Sequence, residues 1–214
     1  MAAVIEIDPD NPAGADLTAA LQAIAGGGIV ACPTETYYGL AADALSAEAV
    51  ERVYRIKGRN YRNPLPLIIG GEKDLPLLVT DIPTAARRLM AAFWPGPLTL
   101  VFYASGALPP LVTAGTGKVG IRVSSHPVAS LLASSFGRAL TATSANVSGE
   151  PAGASSDDVL QSLGQRIDVI LNGGRTPGGP GSTVLDTTTT PPTILRQGAV
   201  EGASILRILE GRSV

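Results

Sequence analysis

Two hydrophobic patterns alternate along the chain: short continuous apolar runs, and longer stretches in which apolar residues recur at helical spacing. The runs predict strands, the last two forming a closing hairpin, at residues 29–32, 64–69, 98–103, 119–123, 139–143, 167–171, 183–186 and 193–196. The helical stretches predict helices that begin near residues 16–18, 46, 84, 126, 155 and 204. Strands that alternate with helices are typical of folds in which helices cover a sheet. We therefore expect an α/β (α+β) fold with one open, twisted, mixed β-sheet and helices on its faces.

The size and composition of the chain limit the kinds of protein that it can be. With 214 residues, 45% of them hydrophobic, it can bury one sizeable core, and we expect a single domain over residues 1–214. No apolar run approaches the roughly 18–20 residues that span a bilayer, which predicts a soluble, cytoplasmic protein with no membrane partner. Cys32 and His126 are the only residues of their types, which excludes a Cys/His zinc site. We expect no metal ligands in the chain.

The basic residues are distributed unevenly. None occurs before position 52, whereas five of the sixteen follow within eleven positions: Arg52, Arg55, Lys57, Arg59 and Arg62. The net charge of −2 argues against non-specific coating of nucleic acid but allows one basic cleft. The cluster therefore predicts a local site for a small anion, and we expect the fold to enclose a basic cavity.

Lys57 lies at the end of a predicted helix that Ser46 can cap and Gly58 can terminate. It continues the apolar face of that helix, whereas Arg52 and Arg55 follow another row. A lysine on the buried side of a helix is unfavourable unless an anion or a carboxylate meets it. The alternative is a side chain that extends past apolar neighbours to water. We expect Lys57 to point into a cavity towards phosphate, and Arg52 and Arg55 to point to water.

Polar groups follow several predicted strands, at the ends where α/β folds place ligand-binding residues. Residues 34–36, Thr-Glu-Thr, follow the first strand, and residues 144–146, Ser-Ala-Asn, follow a later one. Arg122 projects from its strand on the face opposite the apolar residues. The glycine-rich loop 173–182 offers backbone amides that can approach a phosphate. Polar turns and a solvated sheet face are the ordinary structural explanations, and the residues alone leave both explanations open.

Three other features are better explained by structure than by catalysis. Residues 115–120 match G-x-G-x-x-G, but a strand rather than a helix is predicted after them, so we reject a dinucleotide site. His126 lacks the nucleophile-elbow sequence that would accompany a Ser-His relay. Trp94 is expected to pack in the core.

Six short motifs stand in the order and spacing of the YrdC-like family, which the chain therefore resembles. They lie at residues 33–40, 57–65, 94–99, 144–149, 182–184 and 195–196. The resemblance covers about residues 27–199 and leaves 200–214 as a C-terminal helix and tail. It is to the short form of the family, because the sequence stops where longer relatives add a second domain.

The resemblance implies an enzyme, a nucleotidyltransferase that condenses L-threonine, bicarbonate and ATP into L-threonylcarbamoyl-adenylate and pyrophosphate. This is the first step in making the t6A base of tRNA, so the product would pass to the tRNA-modifying transfer machinery. ATP would be a substrate, with Mg²⁺ on its phosphates. Two alternatives stay open: a module that binds tRNA or double-stranded RNA through the basic cluster, and a non-synthase relative that binds nucleotide.

The resemblance also implies roles for ten residues. Those expected to contact ATP or the adenylate are Lys57, Arg59, Asn63, Lys118, Ser144, Asn146 and Arg196. Lys57 and Arg59 are expected to be catalytic. Those expected to hold threonine are Thr36, Arg122 and Ser182, with Arg122 on the carboxylate. The bidentate pairing of arginine with carboxylates supports that last assignment.

Four positions depart from the family pattern: Asn60, Ile68, Ser124 and Ala152. Ile68 stands where one branch has a His that lines the threonine pocket, and Ala152 replaces a small hydroxyl residue near the nucleotide. Asn60 and Ser124 each replace a proline. These changes bear on the substrate contacts more than on the fold.

Overall fold

A computed structural model describes residues 1–211, and these residues form two β-sheets with helices around them. The strands are β1 (Ala3–Glu6), β2 (Val30–Cys32), β3 (Gly39–Ala41), β4 (Leu67–Ile68), β5 (Leu98–Tyr103), β6 (Lys118–Arg122), β7 (Leu140–Thr141), β8 (Thr143–Ser144), β9 (Val169–Asn172), β10 (Thr183–Asp186) and β11 (Thr193–Arg196). The helices are α1 (Thr18–Ala25), α2 (Ala47–Lys57), α3 (Leu75–Leu78), α4 (Thr84–Phe93), α5 (Pro110–Thr113), α6 (Pro127–Phe136), α7 (Ser156–Leu163) and α8 (Gly202–Leu209). Two short 3₁₀ turns lie at Pro12–Gly14 and Glu72–Asp74. Within residues 1–211, no helix has the length and apolar character needed to cross a membrane.

The strands form two mixed sheets. The first has the order β1-β9-β2-β3-β8, and the second has the order β11-β10-β5-β6-β4-β7. Parallel and antiparallel pairs occur in both, and the predicted hairpin is the antiparallel pair β10 and β11. The mixed α/β class predicted from the sequence is confirmed. The expectation of a single sheet is wrong, because the strands divide between two.

The segment 139–143 shows how the chain passes between the sheets. The sequence predicts one strand there, whereas the structure has β7 in the second sheet and β8 in the first, with Ala142 between them. Hydrogen bonds hold the crossing: the Thr141 Oγ1 hydroxyl donates to the Leu40 carbonyl at 2.7 Å, and the Ala142 amide donates to the Pro66 carbonyl at 2.8 Å. A single apolar run therefore serves both sheets.

Buried apolar side chains form two clusters on opposite faces of the first sheet. In β2, Ala31 belongs to the larger cluster, whereas Val30 and Cys32 belong to the smaller one. Successive side chains of a strand point to opposite faces, so both faces of this strand are covered. The continuous apolar sequence of β2 follows from this double burial.

Local sequence signals set the ends of several helices as predicted. Ser46 caps α2 by accepting a hydrogen bond from the Ala49 amide at 3.2 Å, and Gly58 ends it with a φ of +57°. Ser155 forms a capping box at the start of α7. His126 is the N-cap of α6, and its Nδ1 accepts a hydrogen bond from the Val128 amide at 3.3 Å. Caps are local, so sequence alone locates these helices.

Candidate active site

A cavity of about 570 Å³ is lined by residues of both sheets. Its floor is the face of the second sheet on which alternate residues of β5, β6 and β10 meet: Thr99, Val101, Lys118, Gly120, Arg122, Ser182, Val184 and Asp186. The first sheet and the turn before β3 form another wall, with Thr34, Thr36, Tyr37, Tyr38, Gly39, Thr143 and Ser144. Arg59, Thr116 and Arg196 complete the polar lining. The cavity therefore collects hydroxyl groups and cations from segments that are distant in sequence.

Seven of the ten residues assigned from the resemblance line this cavity: Thr36, Arg59, Lys118, Arg122, Ser144, Ser182 and Arg196. Lys57, Asn63 and Asn146 are not among its lining residues. The structure thus brings together every residue assigned to threonine, but only four of the seven assigned to the nucleotide.

Two arginines converge on Ser182 at one end of the floor. Ser182 Oγ accepts a hydrogen bond from Arg122 Nη1 at 3.4 Å and another from Arg196 Nη2 at 3.1 Å. It also lies 3.0 Å from Thr99 Oγ1, which can accept a hydrogen bond from the Ser182 hydroxyl. Arg196 is fixed further by the Ser182 carbonyl, at 2.9 Å from Nη2 and 3.2 Å from Nε. This end concentrates positive charge, as anion binding requires.

Glu35 is the counter-ion of Arg122, and the sequence interpretation assigned it no role. Its Oε1 lies 3.2 Å from Arg122 Nε, and the two side chains are 11% and 7% exposed. This contact is an ion pair without hydrogen-bond geometry, while Ser124 Oγ donates to Glu35 Oε2. Burial lowers the pKa of Arg122, and the charge of Glu35 opposes that shift. The sequence did contain a signal for this role. A buried arginine needs a counter-ion, and Glu35 is a carboxylate in a hydroxyl-rich turn.

The other end of the floor is electrically balanced. Lys118 Nζ lies 2.9 Å from Asp186 Oδ2. Asp186 Oδ1 accepts hydrogen bonds from the Thr188 amide at 2.9 Å and the Thr188 hydroxyl at 2.6 Å. Burial alone would raise the pKa of Asp186, but the hydrogen bonds from Thr188 and Lys118 lower it overall. The cavity therefore runs from an end with net positive charge, where Arg122 is paired with Glu35 and Arg196 has no ion-pair partner among residues 1–211, to a neutral end where Lys118 is paired with Asp186.

Lys57 does not point into the cavity, which corrects the prediction made from its helix. Its Nζ donates to the Ser144 carbonyl at 2.5 Å, the Asn146 carbonyl at 2.7 Å and Asn146 Oδ1 at 3.2 Å. An ammonium has three N–H donors, so these contacts use all of them. The residue is 1% exposed, and burial, followed by the charge of Arg59, lowers its pKa from 10.5 to about 8. The predicted partner was an anion, whereas the actual partners are neutral oxygens.

Asn63 and Asn146 also act on neighbouring groups rather than on the cavity. The Asn63 carbonyl accepts a hydrogen bond from Arg59 Nε at 3.1 Å, and the Pro64 carbonyl accepts one from Arg59 Nη2 at 2.8 Å. Asn146 Oδ1 accepts from the Ser144 hydroxyl at 2.6 Å. The structure therefore places the two asparagines where they orient Arg59 and Ser144, both of which line the cavity.

The basic cluster of the sequence does not form a continuous basic face. Lys57 is enclosed, and Arg52 forms an ion pair with Asp168 at 2.9 Å instead of pointing only to water. Arg55 is exposed, as predicted. The RNA-binding alternative depended on these residues acting together, whereas Lys57 and Arg52 are held by other parts of the chain.

The four positions that depart from the family pattern have different surroundings. Ile68 is 4% exposed in the smaller apolar cluster and is not a lining residue of the cavity, whereas Ala152 is. Ser124 holds Glu35. Asn60 Oδ1 accepts a hydrogen bond from the Arg62 amide at 2.9 Å within an exposed turn. Ser124 and Ala152 are therefore the departures that bear on the site.

The glycine-rich loop closes one side of the cavity with Gly179, Pro180 and Gly181. Two hydrogen bonds attach it to the turn before β3: the Gly178 amide donates to the Thr36 carbonyl at 2.7 Å, and the Tyr37 hydroxyl donates to the Gly179 carbonyl at 2.7 Å. Gly179 has a φ of +91°, which favours glycine. The loop thus meets the hydroxyl-rich turn across the cavity.

Two features that the sequence analysis explained by structure rather than catalysis are Trp94 and residues 115–120. Trp94 packs against the larger apolar cluster, and its Nε1 donates to the Leu98 carbonyl at 2.7 Å. Residues 115–120 lead into strand β6 rather than a helix. In the part of the chain that the structure describes, no group of three or more His, Cys, Asp or Glu residues is arranged to hold a metal ion.

Comparison with known proteins identifies relatives over most of the chain. The chain is 40% identical over 183 residues to the threonylcarbamoyl-AMP synthase of Pyrococcus abyssi, covering 86% of this chain and 54% of that protein. It is 41% identical over 182 residues to the synthase of the same name from Bacillus subtilis, covering 85% of this chain and 53% of that protein. The chain therefore spans about half the length of these two curated relatives.

The fold matches a solved relative closely. The crystal structure of P. abyssi Sua5 complexed with L-threonine superposes with a TM-score of 0.92 at 36% identity, over 98% of this chain and 62% of that one. The family model of Sua5, YciO and YrdC, described as telomere recombination, matches residues 22–198. The resemblance found in the sequence motifs is confirmed, and the chain belongs to the Sua5/YciO/YrdC family.

Proposed function

We propose that this chain condenses L-threonine, bicarbonate and ATP into L-threonylcarbamoyl-adenylate and pyrophosphate. The observation that carries the proposal is the cavity that gathers Arg59, Lys118, Arg122 and Arg196 beside hydroxyl groups from both sheets. Three reactants that each carry an anionic group must meet in one place: the threonine carboxylate, bicarbonate and the ATP phosphates. Cations with fixed positions can hold them together and neutralise their charge. The curated relatives named threonylcarbamoyl-AMP synthases support the choice of this reaction.

In this proposal, the cationic end of the floor holds threonine. Arg122 binds the carboxylate, because a guanidinium offers two parallel N–H groups that match it. Ser182 lies against that guanidinium, and Thr36 lines the same cavity from the opposite wall. The L-threonine complex of the P. abyssi relative supports this amino acid as the ligand.

The nucleotide contacts divide into direct and indirect ones. Arg59, Lys118, Ser144 and Arg196 line the cavity and are proposed to touch ATP or the adenylate. Asn63 acts by orienting Arg59, and Asn146 and Lys57 act by fixing the segment that carries Ser144. We therefore assign Lys57 to positioning and retain Arg59 as the residue expected to contact the reacting phosphates.

The proposed chemistry has two steps. The threonine ammonium first loses a proton, and the free amine then attacks the carbon of bicarbonate, forming an N–C bond and a carbamate with loss of water. A carbamate oxygen then attacks the α-phosphorus of ATP, forming an O–P bond and breaking the bond to the bridging oxygen, so pyrophosphate leaves. Arg59 and Arg196 would neutralise the charge that develops on the phosphates. No side chain needs to form a covalent bond.

The wider setting is also part of the proposal. ATP would enter as its Mg²⁺ complex, with the metal held by phosphate, since Asp186 in the cavity is already paired with Lys118. The product joins a carbamate to a phosphate as a reactive mixed anhydride, which the tRNA-modifying machinery would consume in the cytoplasm.

A labelled-bicarbonate assay tests the proposed function. Purified protein is incubated with ATP, Mg²⁺ and labelled bicarbonate in parallel reactions with threonine, serine or no amino acid. We expect labelled adenylate and pyrophosphate only with an amino acid, with threonine preferred, and loss of both with Arg122→Ala. Nucleotide binding without threonine-dependent product would instead support a non-synthase relative. RNA binding that weakens steeply with salt would support the RNA-binding module.

A further inference from the structure

The ion pair between Glu35 and Arg122 lies at the cationic end of the cavity and has no role in the reaction as proposed so far. We propose that Glu35 is a positioning residue for the amino-acid carboxylate. It holds Arg122 by its Nε edge, so that the outer nitrogens of the guanidinium face the substrate. This inference rests on the proposed function and identifies what prepares its carboxylate subsite.

The distribution of donors on Arg122 supports this arrangement. A guanidinium has five N–H donors in a rigid plane. Nε lies 3.2 Å from Glu35 Oε1 as an ion-pair contact without hydrogen-bond geometry, and Nη1 makes a long hydrogen bond of 3.4 Å to Ser182 Oγ. Nη2 makes no hydrogen bond to any of residues 1–211. The Nη1–Nη2 edge is therefore the side still available to a carboxylate.

Glu35 acts through Arg122 and not on the substrate. It is not a lining residue of the cavity, whereas Arg122, Thr34 and Thr36 are. Ser124 Oγ donates to Glu35 Oε2, so the carboxylate is itself fixed from behind. The buried atoms Glu35 Oε1 and Arg122 Nε have no other partner among the described residues. Each side chain therefore depends on the other for its placement.

The charge of Glu35 also matters, because two guanidiniums meet at Ser182. Arg122 and Arg196 both donate to Ser182 Oγ and repel each other. A negative charge beside Arg122 offsets part of that repulsion and makes the buried position of Arg122 tolerable. Without Glu35, we expect the guanidinium of Arg122 to leave its present orientation.

Calorimetric titration of L-threonine in the presence of ATP tests the inference with Glu35→Gln, which keeps the shape and removes the charge. We expect threonine binding to weaken about 10- to 100-fold, the size of a lost charge-assisted contact. ATP affinity without threonine should change less than about threefold. Ser124→Ala removes the hydroxyl that holds Glu35 and accepts from the His126 amide at 3.2 Å, but it keeps the charge of Glu35, so it should give a smaller loss in the same direction.

L-Threoninamide, which lacks the carboxylate, gives a readout that a purely structural role would not change. Wild-type protein should prefer L-threonine over the amide, and Glu35→Gln should lose most of that preference. Asp43→Asn is the matched control, because Asp43 is a buried carboxylate paired with Arg138 at 3.1 Å and is not a lining residue of the cavity. It should leave the preference for threonine intact.

The outcomes separate this inference from the function on which it rests. Unchanged threonine affinity and preference in a folded Glu35→Gln variant would overturn the role of Glu35 and leave the proposed function standing. If Asp43→Asn weakened threonine binding as much as Glu35→Gln, the effect would be structural and the inference would also fall. If wild-type protein bound no threonine and formed no adenylate, both proposals would fall together.

Discussion

Lys57 and Arg122 are the two cations that are almost fully buried among residues 1–211, with exposures of 1% and 6%. Both come from regions that sequence reasoning linked to anions, but their surroundings differ. Lys57 has three neutral oxygens within 3.2 Å and, among residues 1–211, forms no ion pair with a carboxylate. Arg122 has one carboxylate at 3.2 Å and a single long hydrogen bond to Ser182.

The comparison teaches that unused donors, more than burial or charge, distinguish a cation that is available to a ligand. The three donors of Lys57 are all satisfied by the protein, so it stabilises the segment that carries Ser144. Arg122 keeps an open edge on the cavity. The two positions should therefore respond differently to substitution.

The largest effect is expected for Arg122→Ala. Removing the guanidinium should weaken threonine binding by about 100-fold or more, as for a truncated partner of a buried charge pair. It should also cost about 3–5 kcal/mol of unfolding free energy, because Glu35 stays buried without its counter-ion. Threonine titration and urea denaturation measure the two effects.

The double variant Arg122→Ala with Glu35→Gln is the control for that prediction. Removing the unpaired charge should restore much of the stability while threonine binding stays lost. Threonine affinity close to wild type in either variant would contradict the assignment of Arg122 to the carboxylate.

Lys57→Met should act mainly on stability. It would leave the Asn146 carbonyl without a donor and the Ser144 carbonyl with only the Asn146 amide, at 3.0 Å, and we expect a loss of about 2–3 kcal/mol of unfolding free energy in urea denaturation. The Michaelis constant for ATP should rise, because Ser144 lines the cavity, while turnover at saturating ATP stays within a few fold. A large fall in turnover at unchanged stability would show that Lys57 contacts phosphate, contrary to the comparison.

The pKa of Lys57 predicts how that stability depends on pH. The folded protein releases the lysine proton near pH 8 and the unfolded chain near 10.5, so the unfolded state binds more protons between these values. The free energy of unfolding therefore rises with pH in that window. The difference between wild type and Lys57→Met should increase by about 1–3 kcal/mol from pH 8 to 10.5. A difference that is flat or falls with pH would contradict the pKa assignment.

The smallest effect is expected for Arg55→Ala. Arg55 lies on α2, two residues before Lys57, but is exposed. We expect a change below about 0.5 kcal/mol in unfolding free energy and unchanged titrations with ATP and threonine. A strong loss of ATP affinity would restore the basic cluster as a functional unit.

The parts of the fold that sequence predicted are those with local causes. Helix α2 was predictable because Ser46, Gly58 and an apolar stripe specify its ends and its buried face. The structure of segment 139–143 was not predictable, because its division between β7 and β8 depends on pairing with residues far away in the chain. Strand β1 also escaped prediction: three of its four residues are exposed, so its pattern lacks a buried apolar run.

The site divides in a similar way. Hydroxyls and arginines at strand ends were predictable as site residues, and seven of the ten assigned residues do line the cavity. The partners of Lys57 were not predictable, because two of its three acceptors are backbone carbonyls about 90 residues away, which leave no mark in residue types. Glu35 was within reach of sequence reasoning, since burying Arg122 demanded a carboxylate.

The division of one apolar run between the sheets has a mechanical consequence. Ala142 is the only residue between β7 and β8, and it also lines the cavity. Two backbone torsion angles therefore separate the two sheets at this crossing. A ligand that drew the cavity walls together would change the backbone torsion angles of Ala142. The exchange rate of the Ala142 amide with solvent deuterium would report that change.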